Sequence, residues 1–262
     1  MNDVGVRFYF TVYPEQQTNE SSYFKGIENS YRDKLSFVML PTYKDAQSGE
    51  NKDILTSDAG GIVSKAFLSA SNSAIALNHG GLCPPNCIGT GGGIASLHNI
   101  VMTDNAFASH TIPLDAVKSM ISNYEVKRLN SNPGDSKSVW YSINELTGFL
   151  NDLTLSSENS DLTLENVGVK FYFTVYPDQQ SNESPYFKGI EGSYREKLSF
   201  VILPTYKDAQ SGENIDILSS AENNIVSKTF LLAPNSAIAF NHGGLCPPAC
   251  IYTGGGIASS HK

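Results

Sequence analysis

Val167-Gly168-Val169-Lys170-Phe171-Tyr172-Phe173-Thr174-Val175-Tyr176 is the stretch of sequence that decides the fold of this chain. Its β-branched and aromatic side chains alternate with a period of two, which is typical of a β-strand. One face of the predicted strand holds Val169, Phe171, Phe173 and Val175, and the other holds Lys170, Tyr172, Thr174 and Tyr176. Because the second face is also aromatic, we expect a helix or a partner protein to cover it.

A second strand and two helices are predicted around this stretch. Leu198 to Leu203 is expected to pair antiparallel with the first strand. Leu114, Val117, Ile121 and Tyr124 form an apolar stripe at helical spacing, in a helix that should end near Leu129. Ser142 to Glu145 has the S-x-x-E form of a capping box and opens a second helix to about Leu153. Between the helices lies a short β-like run that contains the only Trp, Ser138 to Tyr141.

The chain also contains a long internal repeat. Residues 4–98 and 167–261 align without a gap, and 75 of the 95 aligned positions are identical. We infer a duplication, in which 1–98 is a truncated copy that lacks the N-terminal helices, 99–101 is the junction and 102–262 is a complete α+β domain. The alternative is a single domain in which 103–166 serves both repeats.

The expected fold class is therefore α+β, with two helices packed on a small, mainly antiparallel sheet and a duplicated partial copy of the sheet portion. Residues 1–98 would have strands without helices of their own, and an uncovered sheet is an aggregation risk. We therefore expect the strand Val4–Tyr13 to pack beside its equivalent, Val167–Tyr176, in pseudo-twofold fashion.

The repeated stretch Asn241–Cys250, which also occurs as Asn78–Cys87, is the one candidate site for chemistry. It spaces a histidine and two cysteines as H-x3-C-x3-C, and such side chains bind zinc. The candidate metal ligands are His242, Cys246 and Cys250 in one copy and His79, Cys83 and Cys87 in the other. A fourth ligand could come from His261, Asp216 or the other copy.

Two other interpretations of this motif remain open. Cys246–Cys250 and Cys83–Cys87 could form disulfides if the prolines between them bring the Cα atoms within about 7 Å. Alternatively, the cysteines are reduced and lie in a rigid Pro-Pro turn, where a free Cys behaves as a small hydrophobic residue. A Cys–His nucleophile is disfavoured, since no acid is indicated to orient the histidine.

Composition excludes several classes of protein. The net charge of −8 argues against binding to nucleic acid or to an anionic membrane surface. No apolar run approaches the roughly 20 residues that span a bilayer. Met1-Asn2-Asp3-Val4 has neither the basic nor the apolar region of a signal peptide, so we expect a cytoplasmic protein.

The order of these features resembles a family of small uncharacterised proteins from Bacteroidota. The residues that carry the resemblance are Val139 to Ile143, Gly168 to Pro177, Leu203 to Thr205, Asp216 to Leu218 and the ending Asn241 to Cys250. The resemblance covers about 110–250 fully and 4–87 as the later part alone. It implies a bacterial source and an N-x-G-x-x-C-P-P-x-C ending, but no activity.

The sequence therefore favours a non-enzymatic interaction or accessory domain, because it shows aromatic surface segments and no catalytic constellation. Its partner would be another protein, or a second copy that associates through sheet strands. The alternative is a metal-binding or thiol-redox protein that uses the histidine and cysteine motif, with zinc as the metal.

Overall fold

The computed structural model describes residues 4–15, 24, 31–54, 76–77, 111–112, 114–158, 163, 166–178, 192–217 and 244–246. Within these ranges the chain forms two antiparallel sheets and two α-helices. The expected α+β class is therefore confirmed.

The first sheet has seven strands among the described residues. Strand β1 (Val4–Val12) pairs with β2 (Leu35–Lys44) on one edge and with β6 (Ser138–Ser142) on the other. Three short strands extend the sheet beyond β2: β3 (Asn51–Asp53), β4 (Ala76–Leu77) and β5 (Thr111–Ile112). Strand β10 (Gly244–Cys246) pairs with β6 at the opposite edge.

The second sheet has three strands: β7 (Val167–Val175), β8 (Leu198–Lys207) and β9 (Asn214–Asp216). The order is β7-β8-β9, so in the described part of the chain β7 has a neighbour on one edge alone. The predicted strand pair is therefore present, and it belongs to a smaller sheet than the one built on β1.

The repeated segments form the same hairpin in the same register. Val4 is paired with Tyr43 in the first sheet, and Val167 is paired with Tyr206 in the second. Each hairpin continues into a polar turn that contains a glycine at positive φ, Gly49 in the first copy. Because the register is shared, each residue of the second hairpin has a defined counterpart on the same face of the first.

Phenylalanines from the two sheets meet in one core. Phe8 and Phe37 of the first sheet lie 5.7 and 4.7 Å from Phe171 of the second, measured between ring centroids. Phe8 also lies 5.0 Å from Phe200. Burial of each such ring stabilises the fold by roughly 1.5–3 kcal/mol, and each aromatic pair adds about 0.5–1.5 kcal/mol. These contacts hold the two sheets face to face.

Helix α1 (Leu114–Tyr124) covers the outer face of the first sheet, the face turned away from this core. The buried cluster between them contains Ala116, Val117, Met120 and Ile121 of the helix and Tyr9, Tyr13, Val38 and Leu40 of the sheet. A π-helical turn, Glu125–Leu129, extends the helix to the residue where the sequence predicts its end. Of the predicted apolar stripe, Val117 and Ile121 thus pack on this face, whereas Tyr124 belongs to the core between the two sheets.

Helix α2 (Ile143–Glu158) begins at the predicted capping box. The Ser142 backbone N–H donates to Glu145 Oε2 at 2.8 Å, and the Glu145 N–H donates to Ser142 Oγ at 3.1 Å. The helix runs past the predicted end near Leu153, because Leu153 is buried against Tyr206 and Ile217 of the second copy. That contact holds the last turns in place.

The expected contact between the two repeated strands is present, with a different geometry. Rings of β1 and β7 meet across the core, with Phe8 5.7 Å from Phe171 and Phe10 6.1 Å from Phe173. The strands do not lie edge to edge, because β6 pairs with the available edge of β1. The domain boundaries at 98 and 102, and the single-domain alternative, stay predictions.

We predict that Gly5→Ala destabilises the protein while Gly168→Ala does not. A Cβ on Gly5 would lie 2.5 Å from Trp140 Cε2, so the indole must move, and such overpacking costs about 1–3 kcal/mol. A Cβ on Gly168 would meet Thr205 Oγ1 at an ordinary 3.4 Å, so that variant should stay within about 0.5 kcal/mol of the parent. Urea unfolding of the two matched variants measures this, and equal losses would contradict the prediction.

Candidate functional site

The predicted metal or disulfide motif falls mostly outside the described residues. His79, Cys83, Cys87, His242 and Cys250 are all outside them. Cys246 is the last residue of β10, and its backbone is paired with Ser138 of β6. The zinc and disulfide interpretations of this motif therefore stay predictions.

The part of the chain that the structure describes contains no group of three or more His, Cys, Asp or Glu that could hold a metal ion. Asp216, one of the possible fourth ligands, is held by two other side chains instead. Lys170 Nζ donates to Asp216 Oδ1 at 2.8 Å, and Tyr172 OH donates to Asp216 Oδ2.

A polar cluster on the outer face of the first sheet corresponds to this one position by position. Arg7 Nη1 donates to Asp53 Oδ1 at 2.5 Å, and Tyr9 OH donates to Asp53 Oδ2 at 2.5 Å. Arg7 Nη2 also donates to the carbonyl oxygen of Asn51 at 2.7 Å. The Arg7 and Asp53 side chains are 2% and 0% exposed, so this ion pair is fully desolvated. The ion pair links β1 to β3, the two strands that lie on either side of this part of β2.

The same cluster in the second copy is more exposed. Lys170 replaces Arg7, and the Lys170 and Asp216 side chains are 33% and 21% exposed. Lys170 Nζ keeps the backbone contact too, because it donates to the carbonyl oxygen of Asn214 at 3.0 Å. The two clusters share one geometry, but only the first is closed off from solvent.

The pKa values of Tyr9, Tyr172 and Lys170 are all raised. Burial, followed by the charge of Asp53, raises the pKa of Tyr9 far above its usual range. Burial and the hydrogen bond to Asp216 raise the pKa of Tyr172. For Lys170, burial lowers the pKa, but the hydrogen bond and charge of Asp216 outweigh it and the pKa is raised. Both phenols thus stay protonated and the ammonium stays charged, so none of the three acts as a general base near pH 7.

A second pair of acids lies at the end of each hairpin. In the first copy, Lys127 Nζ contacts Glu15 Oε1 at 2.7 Å and Asp33 Oδ1 at 2.5 Å. Asp178 and Glu196 stand at the corresponding positions of the second copy, where they line an open groove of about 610 Å³. Asp33 and Glu196 both have a φ of 59°, so the turns that present these acids have the same conformation.

The two outer faces differ most in how far they are covered. In the first sheet, Tyr9 is 2% exposed and Val38 and Leu40 are 0% exposed, because α1 lies on them. In the second sheet Tyr172 is 38% exposed. We call this surface the second outer face, and its residues are Gly168, Lys170, Tyr172, Thr174, Val201, Leu203 and Thr205. Val201 and Leu203 are half-buried where their counterparts are fully buried.

Comparison with models of protein families, with curated proteins and with solved structures found no match to this chain. The resemblance to a family from Bacteroidota thus stays a prediction. Among the helices that the structure describes, none is long and apolar enough to cross a membrane.

The sequence pattern anticipated part of this arrangement. Alternation placed Lys170 and Tyr172 on one face. The helix expected on that face lies instead on the corresponding face of the first copy, and Tyr172 is exposed. The roles of Asp53 and Asp216 were missed, since each lies 44 residues beyond its tyrosine partner and resembles a solvated loop acid. The repeat held one usable signal, because the tyrosine and the aspartate recur together while Arg7 changes to another cation, Lys170.

We predict that Asp53→Asn costs far more stability than Asp216→Asn. The first substitution leaves the buried Arg7 guanidinium without its carboxylate, and breaking a buried ion pair costs about 3–5 kcal/mol. The second breaks a partly exposed pair, and such pairs contribute at most about 1 kcal/mol. Guanidinium unfolding of both variants tests the difference. If Asp216→Asn proves as damaging as Asp53→Asn, the second cluster is not solvent-screened as described.

Proposed function

We propose that this chain is a non-enzymatic interaction protein that binds a protein partner on the second outer face. The observation that supports the proposal is the unequal cover of two matching surfaces. Tyr9, Val38 and Leu40 lie buried beneath a helix, whereas Tyr172 and its apolar neighbours on the second sheet are partly open. Sheet surfaces rich in exposed apolar and aromatic residues typically mark protein contacts.

The edge of the second sheet supports the same proposal. Within the described ranges β7 is paired with β8 alone, whereas β1 is paired on both edges. An unpaired strand edge presents N–H and C=O groups that another chain can pair with. Face and edge are continuous along Val167–Val175, so one partner element could use both.

The polar groups near this surface favour binding over catalysis. Tyr172 and Lys170 are held to Asp216 with raised pKa values, so neither is an activated nucleophile or base. The net charge of −8 disfavours nucleic acid as the partner. A protein partner therefore fits this surface best.

We infer further that the matching surfaces arose by duplication of the sheet portion. The supporting observations are the 75 identities in 95 aligned positions and the shared register of the two hairpins. Because residues 99–166 occur once, two copies of the sheet share one set of helices, and α1 lies on the copy in residues 1–98.

A metal-binding or thiol-redox function of His242, Cys246 and Cys250 is the second candidate, and the H-x3-C-x3-C spacing favours it. If it is correct, purified protein will contain stoichiometric zinc, or its intact mass will rise by about 2 Da per cysteine pair on reduction. Protein that contains no zinc and shows no mass change on reduction would leave only reduced cysteines in a structural turn.

Site-specific photo-crosslinking tests the proposed function. Thr174 lies on the second outer face beside Tyr172, so a photoreactive phenylalanine there should give a discrete adduct with a partner in the cells that make the protein. The control position is Leu155 on α2, which is 56% exposed and lies outside this surface. Adducts of equal yield at both positions, or none at Thr174, would contradict the proposal.

A further inference from the structure

We propose that the partner presents an amphipathic helix followed by a short strand, with the chemistry of residues 114–142 of this chain. The inference rests on the proposed function and specifies the partner. Within residues 114–142, α1 covers Tyr9, Val38 and Leu40 on the outer face of the first sheet, and β6 pairs with β1. Because the second sheet repeats that surface, the first sheet shows which kind of element fits it.

The helix would lie across Tyr172, Val201 and Leu203. On the first sheet, the small and branched side chains of α1 contact the identical residue types Tyr9, Val38 and Leu40. An apolar stripe of similar width would bury the 38% of the Tyr172 surface that is exposed. Burial of this apolar area is the main driving force for association.

A basic residue one turn beyond the stripe would fix the direction of the helix. Lys127 does so on the first sheet, where it bridges Glu15 and Asp33. Asp178 and Glu196 line the groove at the corresponding place on the second sheet. Because the first-sheet acids are 69% and 56% exposed, such contacts contribute more to orientation and encounter rate than to affinity.

The strand would place a large aromatic ring over Gly168. In the first sheet the indole of Trp140 lies over Gly5, and its Nε1 donates to Thr42 Oγ1 at 2.9 Å. Gly168 is the counterpart of Gly5 in sequence and register. Among the described residues, Thr205 Oγ1 is the one atom within 4 Å of the place where a Cβ of Gly168 would be. A ring with an N–H donor would therefore find both space and an acceptor there.

The helix and strand of residues 114–142 cannot cover the second outer face of the same chain. Residues 99–166 occur once in the sequence, and their helix and strand are already packed on the first sheet. Moving them to the second sheet would uncover Tyr9, Val38 and Leu40, which are fully buried. A second copy of this element would therefore have to come from another molecule.

A peptide of residues 111–142 is the probe for this inference. Fluorescence anisotropy of the labelled peptide, titrated with the full chain, should show saturable binding with one peptide per chain. Gly168→Ala in the full chain should weaken binding at least tenfold, because a methyl group takes the space of the indole. Lys127→Glu in the peptide should weaken binding several-fold by repulsion from Glu196, and added salt should reduce that difference.

Two controls separate the second outer face from other surfaces. Val126→Thr in the peptide should leave the affinity unchanged, because Val126 is 61% exposed when the element is packed on the first sheet. Since a Cβ on Gly168 meets no close contact, the Gly168→Ala chain should unfold like the parent, which shows that lost binding is not lost folding.

Three outcomes would overturn the inference. The first is binding that is unaffected by Gly168→Ala, which would place the peptide elsewhere. The second is a full chain that sediments as a dimer and becomes monomeric on Gly168→Ala, which would identify a second copy as the occupant. The third is no peptide binding while the photoreactive residue at Thr174 still forms its discrete adduct. That result would retain the proposed function and reject this class of partner.

Discussion

The packing of phenylalanine rings between the two sheets is the contact on which the rest of the structure depends. Phe8, Phe37, Phe171 and Phe200 belong to one core, with centroids 4.7–6.1 Å apart. A strand directs successive side chains to opposite faces, so the phenylalanines of β1 and β7 point into this core and Tyr9 and Tyr172 point outward. This alternation places the buried ion pair, the face that α1 covers and the more exposed second outer face on the sides of the sheets that point away from the core.

The outer faces of the two sheets show that nearly identical repeats can differ in how deeply the same polar cluster is buried. Tyr9 and Tyr172 occupy matching positions and both donate to an aspartate. In the first copy the cluster is buried, so its ion pair is strongly coupled to folding and its phenol is hard to ionise. In the second copy the corresponding pair is partly exposed and is screened by solvent. The degree of burial, together with the change from Arg7 to Lys170, therefore determines what each cluster contributes.

Patterns of neighbouring residues predicted the helices and strands well, whereas contacts between residues distant in sequence were not predicted. The strand alternation, the helix end at Leu129 and the capping box at Ser142 depend on neighbouring residues, and all three are present. The sequence offers β6 two nearly identical strands to pair with, β1 and β7. No local pattern predicts that it pairs with β1. The same holds for Asp53, whose role becomes visible only when β3 lies beside β2. The histidine and cysteine motif stays a prediction, since its side-chain geometry lies outside the described residues.

The position of Trp140 on the first sheet has a consequence for the fluorescence of the protein. It is the only tryptophan in the chain, and it lies on the first sheet with its Nε1 bonded to Thr42. Intrinsic indole emission therefore reports on the pairing of β6 with β1 in the first sheet. Detachment of β6 from β1 would expose the ring to water and shift its emission to longer wavelength. Local unfolding of β7 to β9 alone would leave the emission of Trp140 largely unchanged. The protein thus carries an internal optical label that separates local opening of the first sheet from events on the second.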